Sequence, residues 1–373
     1  MELVDDRFLF SALRELAISE GLDDIGIASV DPLMDARRDL KDRKQRGLHG
    51  GMHFTYGNPE RATSPADLLE GAKSIVVALR RYDAPLSSAR PGLASVAHYV
   101  ARDEYGQLRS GLQAIASYLH ARGSAAEVVF DDNRLVDRAI AVRAGLGWIG
   151  KNSMLLNPEL GSWTVIGSVV TDRQIVIESQ DHSNGCGDCR RCQVECPTGA
   201  LDEEGVLDAN KCLAWLVQAQ GIFPVEFRVV LGDRLYGCDD CQTVCPVNDG
   251  KETVRIQATN RSRTVELVKL LQSTDDALMK KYEHWYIPRR RAEYLRRNAL
   301  VVLANVADGS DSAVESVVFG GLKSDSAIVR AHAVWAARQL GLNHLFLQVG
   351  YESLTRDDPN RWVSNELEMM ESA

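Results

Sequence analysis

The chain has 373 residues, 45% of them hydrophobic and 25% charged, and its formal net charge at pH 7 is −9. These values are typical of a globular protein with two or three domains, and the negative charge argues against a surface that binds nucleic acid all over. No apolar run approaches the roughly eighteen residues of a membrane span, and the amino terminus has neither an export signal nor a twin arginine. We therefore expect a cytoplasmic protein.

The first part of the chain alternates between helical and extended patterns. Residues 7–30 predict an amphipathic helix that leads into a strand. A strand at 73–82, a helix that ends at Gly123, a strand that ends at Asp131, a further helix and a strand in "TVIGSVVTD" follow in order. This alternation predicts an α/β (or α+β) domain over residues 1–175.

One acidic residue in this domain is a candidate catalytic group. Asp131 follows a predicted strand, and α/β domains place ligands and catalytic groups at the carboxyl ends of their strands. The alternative is that it caps the next helix, a role that Asp132 or Asn133 could fill equally well. Position in the sequence leaves both interpretations open.

The segment "GLGWIGKNS" is the second candidate feature. Three glycines precede Lys151, Asn152 and Ser153, which suits close backbone approach to a large cofactor. The segment has neither the Walker spacing nor the dinucleotide-binding spacing, so it is weak evidence by itself. Arg61 could hold a phosphate, but a solvated loop arginine is the simpler interpretation.

Half of the eight cysteines fall within eleven residues. The run "CGDCRRCQVECP" has the C-x2-C-x2-C-x3-C-P spacing of bacterial ferredoxins, in which the fourth cysteine binds the other cluster. The later segment "CDDCQTVCP" repeats the end of this run, and an upstream cysteine replaces its missing first member. We predict two [4Fe–4S] clusters with crossed ligands, the first held by Cys186, Cys189, Cys192 and Cys245 and the second by Cys212, Cys238, Cys241 and Cys196.

Two structural zinc sites are the main alternative, because C-x2-C pairs also bind zinc. The cysteine triplet and the C-P endings favour iron–sulfur, and a reducing compartment disfavours disulfides. We expect a ferredoxin-like module over residues 176–250 that carries single electrons. The apolar insertion at 213–237 is expected to pack against whatever accepts those electrons.

The last third of the chain begins with a basic stretch. From residue 251 to residue 299 there are twelve Lys and Arg against six Asp and Glu. Aromatic residues (Trp285, Tyr286 and Tyr294) are interleaved with the arginines, which suits stacking on unpaired bases alongside phosphate contacts. We predict RNA binding, and the alternative is a basic helix face that only keeps the domain soluble. The candidate residues are Arg289, Arg290, Arg291, Arg296 and Arg297.

Small residues line the helical patterns that follow. "NALVVLANV" and "AHAVWAARQLG" share such faces, as stacked HEAT-type repeats do. Residues 251–373 are therefore expected to form a basic linker and an α-helical HEAT-like domain. Such a domain holds a partner and does not perform chemistry.

These features together resemble the epoxyqueuosine reductase family, which makes the last conversion to queuosine at the wobble position of certain transfer RNAs. The resemblance covers nearly the whole chain. The segments that carry it are "PERATSPADLLEGAKSIVVAL", "DDNRLVDRAIAVRAGLGWIGKNSMLLNPELGSW", "RLYGCDDCQTVCP", the two cysteine motifs and the basic "RRNA". It implies a cobalamin-binding first domain whose cofactor, reduced to Co(I), receives electrons from the two clusters.

The resemblance also implies roles for particular residues. Asp131 aligns with the proposed proton donor of the family. The residues that fall where the family lines its cobalamin are Arg61, Asp131, Arg138, Lys151, Asn152 and Ser153, and Gln218 in the insertion is a further candidate. The implied partners are the anticodon stem-loop of a transfer RNA and a low-potential electron donor of the flavodoxin or ferredoxin type, and we expect a monomer.

The chain departs from the family pattern in one loop. Many relatives have Asp-Tyr-His after the first strand region, whereas this chain has Asp103, Glu104 and Tyr105. Two other functions remain as alternatives. One is a corrinoid and iron–sulfur reductase of small molecules, similar to reductive dehalogenases, which usually carry a twin-arginine signal; the other is an electron carrier without a substrate of its own.

Overall fold

The computed structural model describes residues 6–82, 93–178, 182, 185–251 and 263–371. The chain divides into two compact units, and each is built from separate stretches of sequence. The first unit comprises Met1–Pro85, Arg102–Asn210 and Asp240–Ala258; the second comprises Leu86–Ala101, Lys211–Asp239 and Thr259–Ala373. The expected domain limits at residues 175 and 250 stay a prediction, and residues 252–262 of the basic stretch lie outside the described residues.

The regular elements alternate along the chain. The strands in the described residues are β1 Asp24–Ser29, β2 Ser74–Arg81, β3 Leu93–Val96, β4 Ala126–Val129, β5 Trp148–Ile149, β6 Leu155–Leu156, β7 Thr164–Thr171, β8 Arg234–Tyr236 and β9 Thr264–Glu266. The helices are α1 Asp6–Ser19, α2 Met34–Gln45, α3 Phe54–Gly57, α4 Pro59–Ala62, α5 Glu104–His120, α6 Asp137–Arg143, α7 Arg191–Glu195, α8 Leu213–Leu216, α9 Val225–Arg228, α10 Asp240–Thr243, α11 Leu267–Gln272, α12 Asp275–Lys281, α13 Glu293–Val306, α14 Ser312–Leu322, α15 Ala327–Gln339, α16 His344–Val349, α17 Tyr351–Thr355 and α18 Trp362–Glu371. None of the described helices combines the length and the hydrophobicity that a membrane span requires.

The sheet of the first unit has the order β1-β2-β7-β4, and each neighbouring pair is antiparallel. The predicted helices and strands are confirmed, because each corresponds to one of these elements or to α1, α5 or α6. Of the two classes that the alternation allowed, the antiparallel sheet makes the architecture α+β. Alternation of helices and strands in a sequence does not decide the direction in which each strand enters the sheet.

Both faces of this sheet are covered. Along β7, Ile166 and Val170 belong to the apolar cluster that includes Ile140 of α6, while a Cβ atom built on Gly167 would lie 2.5 Å from Leu112 of α5. Successive residues of a strand point to opposite faces, so α6 covers one face and α5 the other. The central strand β2 is accordingly buried over nearly its whole length.

The second unit packs its helices around α13 and α15. Both helices are buried on almost every side, and a short sheet of order β8-β3-β9 adjoins them in this unit. The apolar insertion at 213–237 contributes Leu216, Phe223 and Leu235 to the same core. The insertion therefore packs within the helical unit, and its expected contact with the electron acceptor stays a prediction.

Arg297 of α13 is an internal tie of this unit. Its side chain is fully buried, and its guanidinium donates hydrogen bonds to the carbonyl oxygens of Ala219 (2.8 Å), Gly221 (2.7 Å), Leu216 (3.1 Å) and Val217 (3.1 Å). Burial lowers its pKa to about 9, which leaves it charged at neutral pH. The structure thus gives Arg297 a structural role in place of the predicted RNA contact.

Replacing Arg297 by Gln should destabilise the second unit strongly. The four carbonyl groups would lose their charged donor, and breaking a buried charged network costs about 3–5 kcal/mol. We expect a clear fall in the melting temperature of the helical signal in circular dichroism. Arg361→Gln is the matched control, because Arg361 is an exposed residue paired with Glu368 and such pairs contribute about 0–1 kcal/mol. Equal melting temperatures for the two variants would contradict the structural role.

Candidate functional site

Four cysteines line one small cavity of the first unit. They are Cys186, Cys189, Cys192 and Cys245, and the cavity has a volume of about 50 Å³. This is the first ligand set that the crossed ferredoxin pairing predicts. All eight cysteines are among the described residues and none of them forms a disulfide. No group of three or more His, Cys, Asp or Glu side chains in the described part of the chain is arranged around a single ion; the four thiols surround a space instead.

Two glycines allow the chain to fold closely around this cavity. Gly147 has φ +140°, and a Cβ atom there would lie 2.1 Å from the carbonyl oxygen of Leu156. Gly185 precedes the first cysteine, and a Cβ atom there would lie 2.7 Å from the ring of Trp148. The glycine-rich segment that was a candidate for cofactor binding therefore packs directly on the cysteine loop.

The electrostatics of the cavity favour a bound cation. Burial raises the pKa of the Cys192 thiol, and the neighbouring Cys245, Cys186 and Cys189 raise it further. The pKa of Cys245 is raised in the same way, first by burial and then by Cys186 and Cys189. Four thiolates would repel one another here unless positive iron offset their charge. The donor set fits an iron–sulfur cluster.

Lys151 and Asn152 lie at the same cavity. The Lys151 Nζ donates to the Gly187 carbonyl oxygen at 2.8 Å and lies 2.7 Å from Oε1 of Glu204. The Asn152 side chain donates to the Cys241 carbonyl oxygen at 3.3 Å. The structure thus brings two of the predicted cobalamin-lining residues together with the first cysteine set.

The second predicted cysteine set divides between the units, since Cys196 and Cys241 belong to the first and Cys212 and Cys238 to the second. In the first unit, the Cys196 sulfur accepts a hydrogen bond from the Ala200 backbone N–H at 3.3 Å. In the second unit, residue 239, next to Cys238, is an aspartate whose carboxylate accepts the His98 backbone N–H at 2.8 Å and contacts the imidazole of the same residue.

Asp131 lies in a strained turn directly after β4. Its φ is +47°, a left-handed conformation that a residue other than glycine rarely adopts without support. The residue is open to solvent on one side, but the surrounding protein partly desolvates the carboxyl, and this raises its pKa, as does the neighbouring Asp132. Asp131 does not cap α6, whose N-cap residue is Val136 without a side-chain hydrogen bond.

Asp132 has the opposite environment. Its carboxylate accepts hydrogen bonds from the Arg134 backbone N–H and from the Arg134 Nε, both at 2.8 Å. Burial alone would raise the pKa of Asp132, but these bonds and the charges of Arg134 and Arg61 lower it overall. The pKa values of the two adjacent carboxyl groups are therefore shifted in opposite directions, upward for Asp131 and downward for Asp132. Such an arrangement allows one carboxyl group to donate a proton while the other stays ionised.

Asp137 lies at the first turn of α6 and contributes a further carboxyl group to this region. Its Oδ1 is enclosed and has no hydrogen-bond partner among the described residues. Burial, with a contribution from the charge of Asp131, raises its pKa to about 8. The helix dipole favours a charged residue there by only about 0.3–1 kcal/mol, so desolvation decides the direction of the shift.

The remaining candidates for cobalamin contacts lie in both units. Arg138 donates a hydrogen bond to the Ser153 carbonyl oxygen, and burial lowers the pKa of its guanidinium although the residue keeps a solvent-accessible surface. Arg61 is an exposed residue of α4. Gln218 belongs to the second unit, where its amide donates to the Tyr99 hydroxyl at 3.2 Å.

The loop that departs from the family pattern has defined roles. Asp103 caps α5 by accepting the Gly106 backbone N–H. Glu104 forms a buried ion pair with Arg80 at 3.1 Å. Tyr105 stacks on the ring of the residue before Asp131, Phe130, with centroids 6.4 Å apart. This loop therefore supports the turn that carries Asp131.

The predicted RNA-binding arginines differ in accessibility. Arg289 is exposed, and the Arg291 side chain is 55% exposed beside Glu293. Arg290 turns back and donates to the Met279 carbonyl oxygen at 2.5 Å, and Arg296 pairs with Asp275 at 2.7 Å. A groove of about 900 Å³ in this unit is lined by basic and acidic side chains that include Arg290, Arg291, Arg296, Lys323, Asp275 and Glu293.

Two of the interleaved aromatic residues are not available to stack on bases. Trp285 is buried and stacks on Tyr236 with centroids 4.5 Å apart, and Tyr294 is also buried. Tyr286 is exposed by 47%. The basic segment therefore presents fewer RNA-facing groups than its sequence indicates.

Known proteins resemble this chain over most of its length. Residues 185–248 match the family model of a 4Fe-4S double cluster binding domain, which supports the iron–sulfur prediction. The chain is 35% identical over 336 residues to the epoxyqueuosine reductase of Bacillus anthracis, with 86% of each chain covered. It belongs to the epoxyqueuosine reductase family.

Two solved epoxyqueuosine reductase structures are similar to the whole chain. One contains a tRNA-Tyr epoxyqueuosine-modified tRNA stem loop, and the other, from Bacillus subtilis, has an aspartate catalytic loop swung out of the active site. Each is 28% identical with a TM-score of 0.86, and the match covers 98% of this chain and 99% of that chain.

Sequence reasoning missed two residues of this family member. Asp137 reads in the sequence as an ordinary acidic residue at a helix start, and only its enclosed oxygen shows that it is desolvated. In the sequence, Tyr105 only departs from the Asp-Tyr-His pattern of many relatives, and only its stacking on Phe130 shows that it contacts the turn before Asp131. No sequence signal could have identified either role, because burial depends on which elements pack together.

Asp137 should make the stability of the protein fall as pH rises. Its pKa is raised to about 8 in the folded chain, so the folded state holds a proton that the unfolded chain releases above its ordinary pKa. The native chain should lose up to about 1.4 kcal/mol per pH unit on this account as pH rises from 5 to 8. Asp137→Asn should melt progressively higher than the native protein over that range.

Asp132→Asn is the control for this measurement. The pKa of Asp132 is lowered by folding, so its contribution is present at neutral pH and is lost as pH falls, the opposite sign. Melting temperatures of all three proteins at intervals from pH 2 to pH 8 test both signs, because the Asp132 contribution is lost below about pH 4 and the Asp137 effect develops above it. Parallel curves for Asp137→Asn and the native chain would contradict the desolvated carboxyl.

Proposed function

We propose that this chain reduces epoxyqueuosine in transfer RNA to queuosine. The reaction adds two electrons and two protons to the epoxide, and it forms the alkene and one molecule of water. The observation that carries the proposal is the cavity lined by Cys186, Cys189, Cys192 and Cys245 in a member of this family. The structure of a relative with an epoxyqueuosine-modified stem loop supports the same substrate.

The electrons would enter through two [4Fe–4S] clusters. The first would be held by the four cysteines of the cavity and the second by Cys196, Cys212, Cys238 and Cys241. A low-potential flavodoxin- or ferredoxin-type protein is the donor that suits thiolate-bound clusters. We propose that the protein works as a monomer in the cytoplasm. A reducing compartment such as the cytoplasm keeps the cysteine thiolates available to iron.

Cobalamin is the cofactor that we propose for the first domain. The region around Arg138 suits a large polar group, because burial lowers the pKa of its guanidinium while the residue still faces solvent, and the Asp137 Oδ1 nearby in sequence is enclosed and has no hydrogen-bond partner among the described residues. Arg61, Arg138 and Ser153 would hold the cofactor, and the contacts that the resemblance implies for Lys151, Asn152 and Gln218 stay predictions. When bound, cobalamin supplies a strongly reducing cobalt centre.

Asp131 would supply a proton to the oxygen of the epoxide. Its raised pKa keeps a larger share of the carboxyl protonated near neutral pH than an ordinary aspartate has. Asp132 stays ionised beside it and favours the protonated form of Asp131 by like-charge repulsion. The aspartate catalytic loop of the Bacillus subtilis relative supports an acid of this type.

The test is anaerobic reconstitution of the full chain with iron, sulfide and cobalamin, followed by an assay on transfer RNA that contains epoxyqueuosine. Queuosine formation is the expected result. Asp131→Asn should retain the iron content and the cluster absorption, but turnover should fall roughly 10²–10⁴-fold because the general acid is lost.

Asp132→Asn is the matched control in this assay. It should keep measurable turnover, and the alkaline limb of its pH–rate profile should move to lower pH, because the charge that raises the pKa of Asp131 is removed. Native turnover in Asp131→Asn would refute the donor assignment. Zinc in place of iron in oxygen-protected protein, or conversion of small halogenated molecules but not of transfer RNA, would refute the proposed function.

The helical carboxyl-terminal domain, which we propose to be HEAT-like, would hold the anticodon stem-loop. Of the five predicted arginines, Arg289 and Arg291 are exposed, whereas Arg290, although also exposed, donates its hydrogen bonds to carbonyl oxygens of its own unit. The double variant Arg289→Gln with Arg291→Gln should bind the stem-loop more weakly and lower the slope of log affinity against log salt by about 2, one for each phosphate contact. Arg361→Gln, an exposed arginine of the same unit, should keep the native slope.

Filter-binding titrations at several salt concentrations measure both variants. A native salt slope in the double variant would place the RNA contacts elsewhere. Arg290 and Arg296 are not included, because their hydrogen bonds within the unit would mix a loss of stability with a loss of binding. The melting temperature of the double variant is measured as well, since Arg291 pairs with the buried Glu293.

A further inference from the structure

The cysteine cavity is lined by a lysine that is not one of the proposed cluster ligands. Lys151 lines the cavity together with the four thiols, and its side chain is only 10% exposed. A buried lysine is costly unless its charge has a use or a partner. Its partners here are one carbonyl oxygen and one carboxylate.

The first partner ties Lys151 to the ligand loop. The Gly187 carbonyl oxygen accepts from the lysine Nζ at 2.8 Å, and Gly187 lies between Cys186 and Cys189 with φ +46°. The lysine therefore holds the backbone of the loop that carries two of the four thiols.

The second partner neutralises the lysine only in part. Oε1 of Glu204 is 2.7 Å from the Nζ, but the Glu204 side chain is 57% exposed. Water and salt screen an exposed carboxylate much more than they screen a buried ammonium. At the cavity the positive field of Lys151 should outweigh the negative field of Glu204.

Reduction of a cluster in this cavity adds one negative charge. The oxidised [4Fe–4S]²⁺ form takes one electron from a reductant and becomes [4Fe–4S]⁺, with no proton or ligand lost. A nearby fixed cation in a poorly solvated site favours the more negative state, and cluster potentials respond to net charge and hydrogen bonds around the sulfurs.

We propose that Lys151 is a positioning residue of the first cluster that raises its reduction potential and fixes the loop between Cys186 and Cys189. The inference rests on the proposed iron–sulfur function of these cysteines. A higher reduction potential allows a moderately reducing donor protein to reduce this cluster. Lys151 would therefore determine which donor proteins can supply the enzyme with electrons.

The experiment is an anaerobic redox titration of the reconstituted full chain with dithionite and mediators, followed by electron paramagnetic resonance. Lys151→Met should lower the midpoint potential of one cluster by about 59 mV, which is a tenfold change in the one-electron equilibrium constant. The second cluster is an internal control and should keep its potential. Lys151→Arg should stay close to the native value, because it retains the charge and a donor.

Glu204→Gln tests the sign independently. Removing the screened carboxylate should raise the potential of the same cluster, by less than Lys151→Met lowers it. If Lys151→Met fails to retain four irons in that cluster, the Glu204→Gln shift decides, and no shift there overturns the proposal. Unchanged potentials in Lys151→Met with both clusters present also overturn it.

Native protein without [4Fe–4S] signals after reconstitution would contradict the proposed function. Native [4Fe–4S] signals whose midpoint potentials are the same in the native protein and in the Lys151 variants would contradict only the role of the lysine.

Discussion

Four thiols meet in one poorly solvated cavity, and the arrangement around them follows from that constraint. Three of them come from one short run, and Cys245 returns from the second motif to complete the set. Burial and mutual proximity raise the pKa of Cys192 and Cys245, so thiolates are unfavourable there until iron offsets their charge. The glycine-rich segment packs against this loop at Gly185 and places Lys151 at its edge. The contacts that hold the cysteine loop in place are thus the same contacts that would surround an iron–sulfur cluster.

The turn after β4 shows how neighbouring residues of the same type acquire different pKa values. Asp131 and Asp132 are adjacent in the sequence, but Arg134 binds only the second of them. The left-handed turn leaves Asp131 without that partner, and partial burial then raises its pKa. Tyr105, stacked on Phe130, supports the same turn. A residue that departs from the family pattern therefore still serves the site.

The arginines of the basic segment in the second unit have two different roles. Some form hydrogen bonds inside the unit, and others are accessible at its surface. Arg297 is fully buried and ties α13 to the insertion through carbonyl oxygens, and Trp285 is part of the core. Arg289 and Arg291 remain at the surface. A count of arginines overstates an RNA-binding surface, because the guanidinium group satisfies buried carbonyls as readily as it binds phosphate.

The sequence by itself determined the four strands of the main sheet and the helices α1, α5 and α6 of the first unit. It also determined the iron–sulfur prediction and the crossed set around Cys245, because hydrophobic period and cysteine spacing are local patterns with one dominant physical cause. It could not decide the antiparallel sheet, the placement of Lys151 at the cysteines or the burial of Arg297 and Asp137. Those depend on which distant segments exclude water from a given side chain. Asp131 lies between the two cases. Its position after a strand was predicted from the sequence, but only the tertiary contacts show that its pKa is raised while that of its neighbour Asp132 is lowered.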